Sequence, residues 1–418
     1  MRDRICVASL RRLISATGLS RIGDAIRIFA LTLWVYARTG HSGPAIAALT
    51  LAQALPAVAV GVSAGALVDR HSRRLILTRA AAAECLVTCL LILAVVLGNV
   101  VLAVALVAVG AALDTLETIA ARTWLPSLVE PERLQSANAQ WEVTEQVAFL
   151  FGPAAAAVLY ATVGVQPALL IDAASFIALG AIAATIPLRL AQVAAQLPVA
   201  EPEAIDGDTR DPKAGGVAQA SVVAGFRYVA VRPVLVLLMG SASLAALAAG
   251  INNTAMIFFI TEALKRRPEL LAALPTVNGI AQIAAGGAVI ALARRQPLHL
   301  TLRAGAGLTV AGMLIIAVAP SLAVLVLGVV ITSLGNAPLN IGLMTFEQQT
   351  VEAGMLGRIR GLQQSLGNGS FALGSILVGA LVATSGPRSL LFVSFGADVL
   401  MWLCLEAGPV RAIRHGSH

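Results

Sequence analysis

The chain repeats itself. The segment from Phe149 to Gly164 aligns without a gap against Phe371 to Gly386, and at the same offset of 222 residues Gly65 meets Gly287 and Val129-Glu130 meets Val351-Glu352. A register held over most of the chain points to duplication of one unit of six apolar segments. Membrane halves related in this way build an interface that holds a binding site and changes its accessibility as the halves move.

The membrane setting follows from composition. Hydrophobic residues make up 58% of the chain and charged residues 12%, against roughly 45–50% and about 25% in soluble domains; mean hydropathy is +0.85. Twelve spans are predicted near residues 13–36, 44–67, 75–97, 100–124, 138–162, 166–187, 232–260, 271–292, 303–318, 321–345, 360–384 and 388–406. Most reach the roughly 17–25 residues that cross a hydrocarbon core, and the ninth reads as short. The first span is too long for a cleavable signal, and no small-residue cleavage site precedes the second. The expected fold class is an all-α membrane protein of two pseudo-symmetric six-helix bundles, residues 1–187 and 223–418, joined by a linker at 188–222.

With both termini in the cytoplasm, the inner loops and ends collect most of the arginines, among them Arg11, Arg12, Arg70, Arg73, Arg74, Arg122 and Arg358. The outer loops keep Arg38, Lys265, Arg266, Arg267 and Arg388. The positive-inside rule then sets the orientation, with basic loops held against anionic inner-leaflet lipid. That accounts for a pI near 9.9 without nucleic acid, for which no soluble domain is left. The linker carries Glu201, Glu203, Asp206, Asp208 and Asp211 among prolines and glycines, a composition that cannot bury a core. No catalysis, cofactor or metal site is expected: the cysteines lack metal-ligand spacing with histidine, and no phosphate-binding G-x-x-x-x-G-K-[ST] segment occurs. Any transport therefore draws on an ion gradient, the substrate's own gradient or a partner subunit.

Charged groups inside a membrane are costly and mark function by default. In the first span Arg21, Asp24 and Arg27 recur every three residues and share one helical face. The fourth span supplies Asp114 and Glu117, also three apart. The two faces can meet across a cavity, where Arg21 and Arg27 are candidates for substrate contact and a partly desolvated carboxylate beside arginine, Asp24, Asp114 or Glu117, can take up and release a proton. The competing reading is a fixed ion-pair network that only holds the helices in register. Glu84, Asp172, Asp398, Glu142 and Glu145 are assigned to helix–helix hydrogen bonding or interfacial snorkelling rather than to substrate. The second half offers neutral groups instead, with Asn252, Asn253, Asn336 and Asn340 as cavity candidates beside Asn278, Gln282 and Asn368. Aromatic residues are 4% of the chain, and Trp34, Trp124, Trp141, Phe149, Phe258 and Phe259 are read mainly as an interfacial belt.

Between the second and third spans, Gly65-Ala-Leu-Val-Asp-Arg-His-Ser-Arg-Arg74 resembles the G-x-L-A-D-R-x-G-R-R signature of the major facilitator superfamily. Glycine permits close helix approach, Asp69 can face a neighbouring helix N-terminus, and Arg70, Arg73 and Arg74 can tie the loop to helix ends or lipid. The resemblance implies that Gly65, Asp69, Arg70, Arg73 and Arg74 form a conformational latch between the halves. Ser72 replaces the usual glycine, and the second copy, Gly287 to Arg295, lacks the aspartate, so a one-sided latch is expected. In span 5, Gly152-Pro153 resembles the core of the antiporter motif of that superfamily, with Ala156 and Ala157 in place of its trailing glycines. Proline there is expected to kink a closely packed helix.

Together with Ser20-Arg21-Ile-Gly23-Asp24, Leu125-Pro126, Ala137-Asn138-Ala139 and Asp172 to Phe176, these segments resemble the macrolide-efflux and enterobactin-exporter branch. That resemblance implies a monomeric, non-enzymatic, proton-coupled exporter in a bacterial inner membrane, with spans 1, 4, 7 and 10 lining the cavity. Its partners would be a small amphipathic substrate, protons and lipid. A uniporter or importer of an endogenous metabolite, and a transport-inactive sensor or scaffold, remain as alternatives.

Overall fold

A computed structural model describes residues 2–40, 43–186, 225–265, 274–292 and 296–415. The expected linker at 188–222, Arg266, Arg267, and the Arg294-Arg295 end of the second motif copy lie outside the described residues.

Twelve long helices account for the described chain: α1 Arg2–Arg38, α2 Gly43–Arg70, α3 Arg73–Val96, α4 Val100–Trp124, α5 Leu134–Val163, α6 Val165–Thr185, α7 Pro233–Phe258, α8 Leu274–Leu292, α9 Leu298–Val318, α10 Leu322–Thr350, α11 Leu356–Ser385 and α12 Pro387–Leu405. A last turn, α13, spans Arg411–His415, and no strand occurs among the described residues. Eleven of the helices are long and apolar enough to cross a membrane. The twelfth, α1, is the one interrupted by Arg21, Asp24 and Arg27. In hydrocarbon only helices and closed barrels satisfy every backbone group, so an all-helical multi-pass protein follows.

The duplication is visible in the helix ends. Leu134 and Val163 bound α5, and their counterparts 222 residues on, Leu356 and Ser385, bound α11. Gly164 at φ 86° and Gly386 at φ 73° make the same left-handed turn into α6 and α12, a conformation that glycine adopts without Cβ strain. The Asn99 side chain accepts from Leu102 N at the start of α4, and Ser321 Oγ accepts from Val324 N at the matching place before α10.

Two expectations are corrected. The ninth helix is 21 residues long, not short. It starts at Leu298 because Pro297 supplies the extended residue before it, and because Arg303, which broke the apolar run in the sequence, is satisfied by Glu406 through contacts of 2.6 and 2.5 Å. The interfacial-belt reading fails for Trp124, Trp141 and Phe259, which are 0%, 2% and 0% exposed. Their rings fill gaps between helices, and Phe259 also lies under the Arg388 guanidinium. At Pro153 the helix assignment of α5 runs through unbroken.

Two compact units emerge: residues 1–130, 155–231 and 351–365 form one, and 131–154, 232–350 and 366–418 the other. In the first, α1 packs on α6, α3 on α4 and α6, and α2 on α4. In the second, α9 packs on α10 and α12, α7 on α12, and α8 on α10. Close approach depends on small residues in both, as usual where lipid removes a hydrophobic drive between helices.

Candidate functional site

Three features stand out, two in the first unit and one in the second. The first is a chain of ionisable groups between α1, α3, α4 and α6. Gly23 creates it, since a Cβ there would collide with Ser175 Oγ on α6. With α1 pressed on α6, Arg27 lies 2.7 Å from Asp172 Oδ2 and 2.6 Å from Asp24 Oδ1. Asp172 also accepts from the Thr88 hydroxyl at 3.2 Å. Six residues before Arg27, Arg21 donates to Asp114 Oδ1 and to Thr118 Oγ1 at 2.6 Å each, lies 3.5 Å from Glu117 Oε1 and 3.6 Å from Asp24 Oδ2. Glu84 on α3 is buried beside Glu117.

The five candidates from α1 and α4 are thus brought together, with the expected meeting of the two charged faces. Two further members, Glu84 and Asp172, had been assigned to helix–helix contacts. Asp172 makes such contacts, and it makes them to the charged cluster itself. Counting both arginines and the five carboxyls Asp24, Glu84, Asp114, Glu117 and Asp172 leaves an excess of three acids. Within this set Asp24 sits between both arginines, whereas Glu84 is buried with no ion-pair partner among the described residues. Glu117 is 1% exposed at its side chain and Asp114 35%, so Glu117 is the more enclosed of the two carboxyls on α4.

The second feature is the contact between the end of α2 and the start of α11, where a latch was expected. Asp69, at the end of α2, accepts from Gly357 N at 2.7 Å and Arg358 N at 3.0 Å. A carboxylate thereby satisfies two free N–H groups of the first turn of α11 and faces the positive end of its dipole. Gly65 lies directly on the Gly357 carbonyl, and Gly61 and Gly361 approach likewise one turn further on. Arg73 donates to Ala353 O at 2.9 Å. Arg74 instead binds the carbonyl ends of α6, at Ile186 O (3.1 Å) and Ala184 O, and Arg70 is exposed. Of the five expected latch residues, Gly65, Asp69 and Arg73 therefore touch the segment before and at the start of α11. Arg74 serves α6.

The third feature is a cavity of about 520 Å³ in the second unit, lined by α7, α8 and α10 with contributions from α5, α9 and α11. Asn252, Asn253 and Asn336 line it as expected, joined by Asn278, Thr332, Ser333, Phe149 and Phe371. Asn340 is exposed one turn beyond Asn336 and is not in the lining. No lining residue carries a charge. Gly152 and Pro153 lie in α5 just past Phe149, outside the lining. Elsewhere in the unit Asp398 is buried on α12, with no ion-pair partner among the described residues. No group of residues with metal-binding potential occurs among the described residues.

The sequence profile of the Major Facilitator Superfamily matches residues 13–375. The chain is also similar in structure to several transporters. A bacterial homologue of the iron transporter ferroportin, outward-facing, aligns with TM-score 0.78 and 14% identity over 96% of this chain and 98% of that one. The human organic anion transporter MFSD10 (TETRAN) gives TM-score 0.70 and 17% identity over 95% and 99%. The transporter FucP in its outward conformation gives 0.72 and 12% over 96% and 99%. No curated protein matches in sequence. At such identities the structural likenesses speak for the fold alone, but the profile spans most of the chain, and its helices, duplicated register and α2–α3 loop agree with it: this protein belongs to the major facilitator superfamily.

Proposed function

We propose that the chain is a secondary active transporter that exports a small amphipathic molecule in exchange for protons by alternating access. It would sit in a bacterial inner membrane with both termini cytoplasmic, as the distribution of arginine favours. The observation that carries the proton reading is the surplus of acids over arginines in the cluster between α1, α3, α4 and α6, five carboxyls against Arg21 and Arg27. Burying an uncompensated carboxylate costs several kcal/mol, so a site with five carboxyls and two guanidiniums lowers its energy by holding protons. Asp114 is the more exposed of the two α4 carboxyls and Glu117 the more enclosed. In this reading Asp114 exchanges protons with solvent, while the Glu117–Glu84 pair stores one. Asp24 lies between Arg21 and Arg27 and orients both arginines.

Export is supported by the Gly152-Pro153 segment and the resemblance to the macrolide-efflux and enterobactin-exporter branch. The substrate role falls to Asn252, Asn253 and Asn336, with Asn340 beside them, and the latch to Gly65, Asp69, Arg70, Arg73 and Arg74. The two bundles at residues 1–187 and 223–418 are retained as the moving parts. The test is a panel of cationic, neutral and anionic amphiphiles added to proteoliposomes under an imposed pH gradient. We expect one class to collapse the gradient, and Asp114→Asn together with Glu117→Gln to abolish that response. Substrate movement with no proton movement would replace antiport with uniport. Full proton coupling in both variants would remove these residues from the role.

A further inference from the structure

A second space in the first unit lies apart from the charged cluster. A groove of about 730 Å³ runs between α3 and α6, and no member of the cluster lines it. Its walls are one face of each helix: Thr78, Ala81 and Cys85 on α3 recur at helical spacing, as do Phe176, Gly180 and Ala184 on α6. Other faces of the same helices carry Glu84 and Asp172 into the cluster. Leu75 and Ile177 in the lining are 40% and 63% exposed, so on two membrane-spanning helices the groove opens to hydrocarbon. Apart from the Cys85 thiol, its polar side chains lie at one end. From Arg74 at that end to Cys85 the wall follows eleven residues of α3, about 16 Å of helix. That is half of a hydrocarbon core about 30 Å thick, the depth filled by the acyl chain of one leaflet.

The polar end carries positive charge without a counter-ion. Arg74 donates to Ile186 O at 3.1 Å and to Ala184 O, and Arg12 donates to Thr185 O at 3.4 Å. Neither arginine has a carboxylate partner among the described residues. Neutral carbonyls hold a guanidinium in place, yet they leave its charge and its remaining N–H groups for an anion. Beside them Ser72, which stands where the family signature has glycine, lines the groove and makes no capping bond to α3.

We infer that the α3–α6 groove binds one anionic phospholipid, with an acyl chain along Ala81, Ala82, Phe176 and Ala181 and the headgroup phosphate on Arg74, Arg12 and the Ser72 hydroxyl. In the orientation proposed above the lipid comes from the inner leaflet, and the site stands whether or not the chain moves protons. Two arginines at the interface favour a headgroup of net negative charge. A spanning helix of a second copy would need a seam across the whole membrane, and this groove ends halfway.

The test titrates the full chain in detergent micelles with phosphatidylglycerol or phosphatidylcholine of identical acyl chains and counts bound lipid by native mass spectrometry. One phosphatidylglycerol should bind at least ~5-fold tighter than phosphatidylcholine, the attraction of about one arginine. Arg74→Gln should weaken its binding about fivefold. Arg12→Gln reads the same charge from α1, with the same loss expected, should Arg74→Gln fail to fold for want of its bonds to α6. Ala181→Phe fills the groove from its exposed side and should weaken both lipids, while Arg79→Gln, at an exposed arginine of α3 outside the lining, should leave binding unchanged. Equal affinity for the two lipids, an equal loss in Arg79→Gln, or full binding in Ala181→Phe would overturn the site. So would displacement of the lipid by glycerol phosphate at equal concentration, since the groove would then hold no chain. A lipid-free dimer that Ala181→Phe splits into monomers would give the groove to a second copy instead.

Discussion

The duplicated halves keep the same helix register and hold opposite chemistry. At the offset that superposes α5 on α11, Arg21, Asp24 and Arg27 face Ser243, Ala246 and Ala249. Glu84 faces Ala306, Glu117 faces Leu339 and Asp172 faces Ser394. Asp114 faces Asn336, the same shape without the charge. One copy has concentrated every intramembrane charge of the cluster, and the other presents an amide-lined cavity at the corresponding depth of α10. The difference teaches that duplication fixes backbone geometry, while a few substitutions at fixed positions divide the work between charge handling and neutral recognition.

The comparison breaks most readily at Arg27. Arg27→Leu would leave Asp24 and Asp172 without their shared cation, and breaking a buried pair from one side costs about 3–5 kcal/mol. We expect chemical denaturation to show a loss of that size, with Arg27→Lys much milder. Wild-type stability in Arg27→Leu would mean that the cluster is not a closed charge network. A smaller effect sharpens the contrast at its most telling position. Asn336→Asp copies the Asp114 charge into the neutral cavity, and we expect ~1–3 kcal/mol of destabilisation and at least tenfold weaker binding of neutral ligands. Unchanged binding would show that the cavity tolerates charge and that the two regions differ less than their composition implies.

The smallest effect comes from a charge of the first unit outside the cluster. Asp69→Asn keeps hydrogen-bond acceptance at the start of α11 but removes the favourable charge, a loss of about 0.5–1 kcal/mol. Turnover in vesicles should change while the number of protons moved per substrate does not. A changed ratio would extend proton handling beyond the cluster.

Much of this was legible in the sequence. The repeat gave the helix count and register, spacing by three put Arg21, Asp24 and Arg27 on one face, and the loop after α2 pointed Asp69 at a helix N-terminus. Periodicity within a helix tells which residues share a face, but not which helix that face meets. Hence Glu84 and Asp172 were set apart from a cluster they complete, and the helix capped by Asp69 was not identified. The surplus of acids needs the three-dimensional neighbours to be counted. Trp124 and Trp141 looked interfacial because they lie near helix ends in sequence, whereas their burial comes from neighbours that sequence position does not show. Arg303 shortened the apparent ninth span because its partner, Glu406, is 103 residues away. Asn278 and Ser333 form one hydrogen-bonded pair across α8 and α10, and nothing in either segment alone announces it.

The most direct test of the division of labour is the number of protons moved per substrate molecule in proteoliposomes, measured for the wild type, Asp114→Asn and Asn336→Ala with the substrate identified by the panel. We expect Asn336→Ala to raise the substrate KM with the ratio intact. In Asp114→Asn the ratio should fall toward zero while substrate exchange down its own gradient survives. A preserved ratio in Asp114→Asn, or a ratio lost in Asn336→Ala, would contradict the assignment of protons to the charged cluster of the first unit and substrate to the neutral cavity of the second.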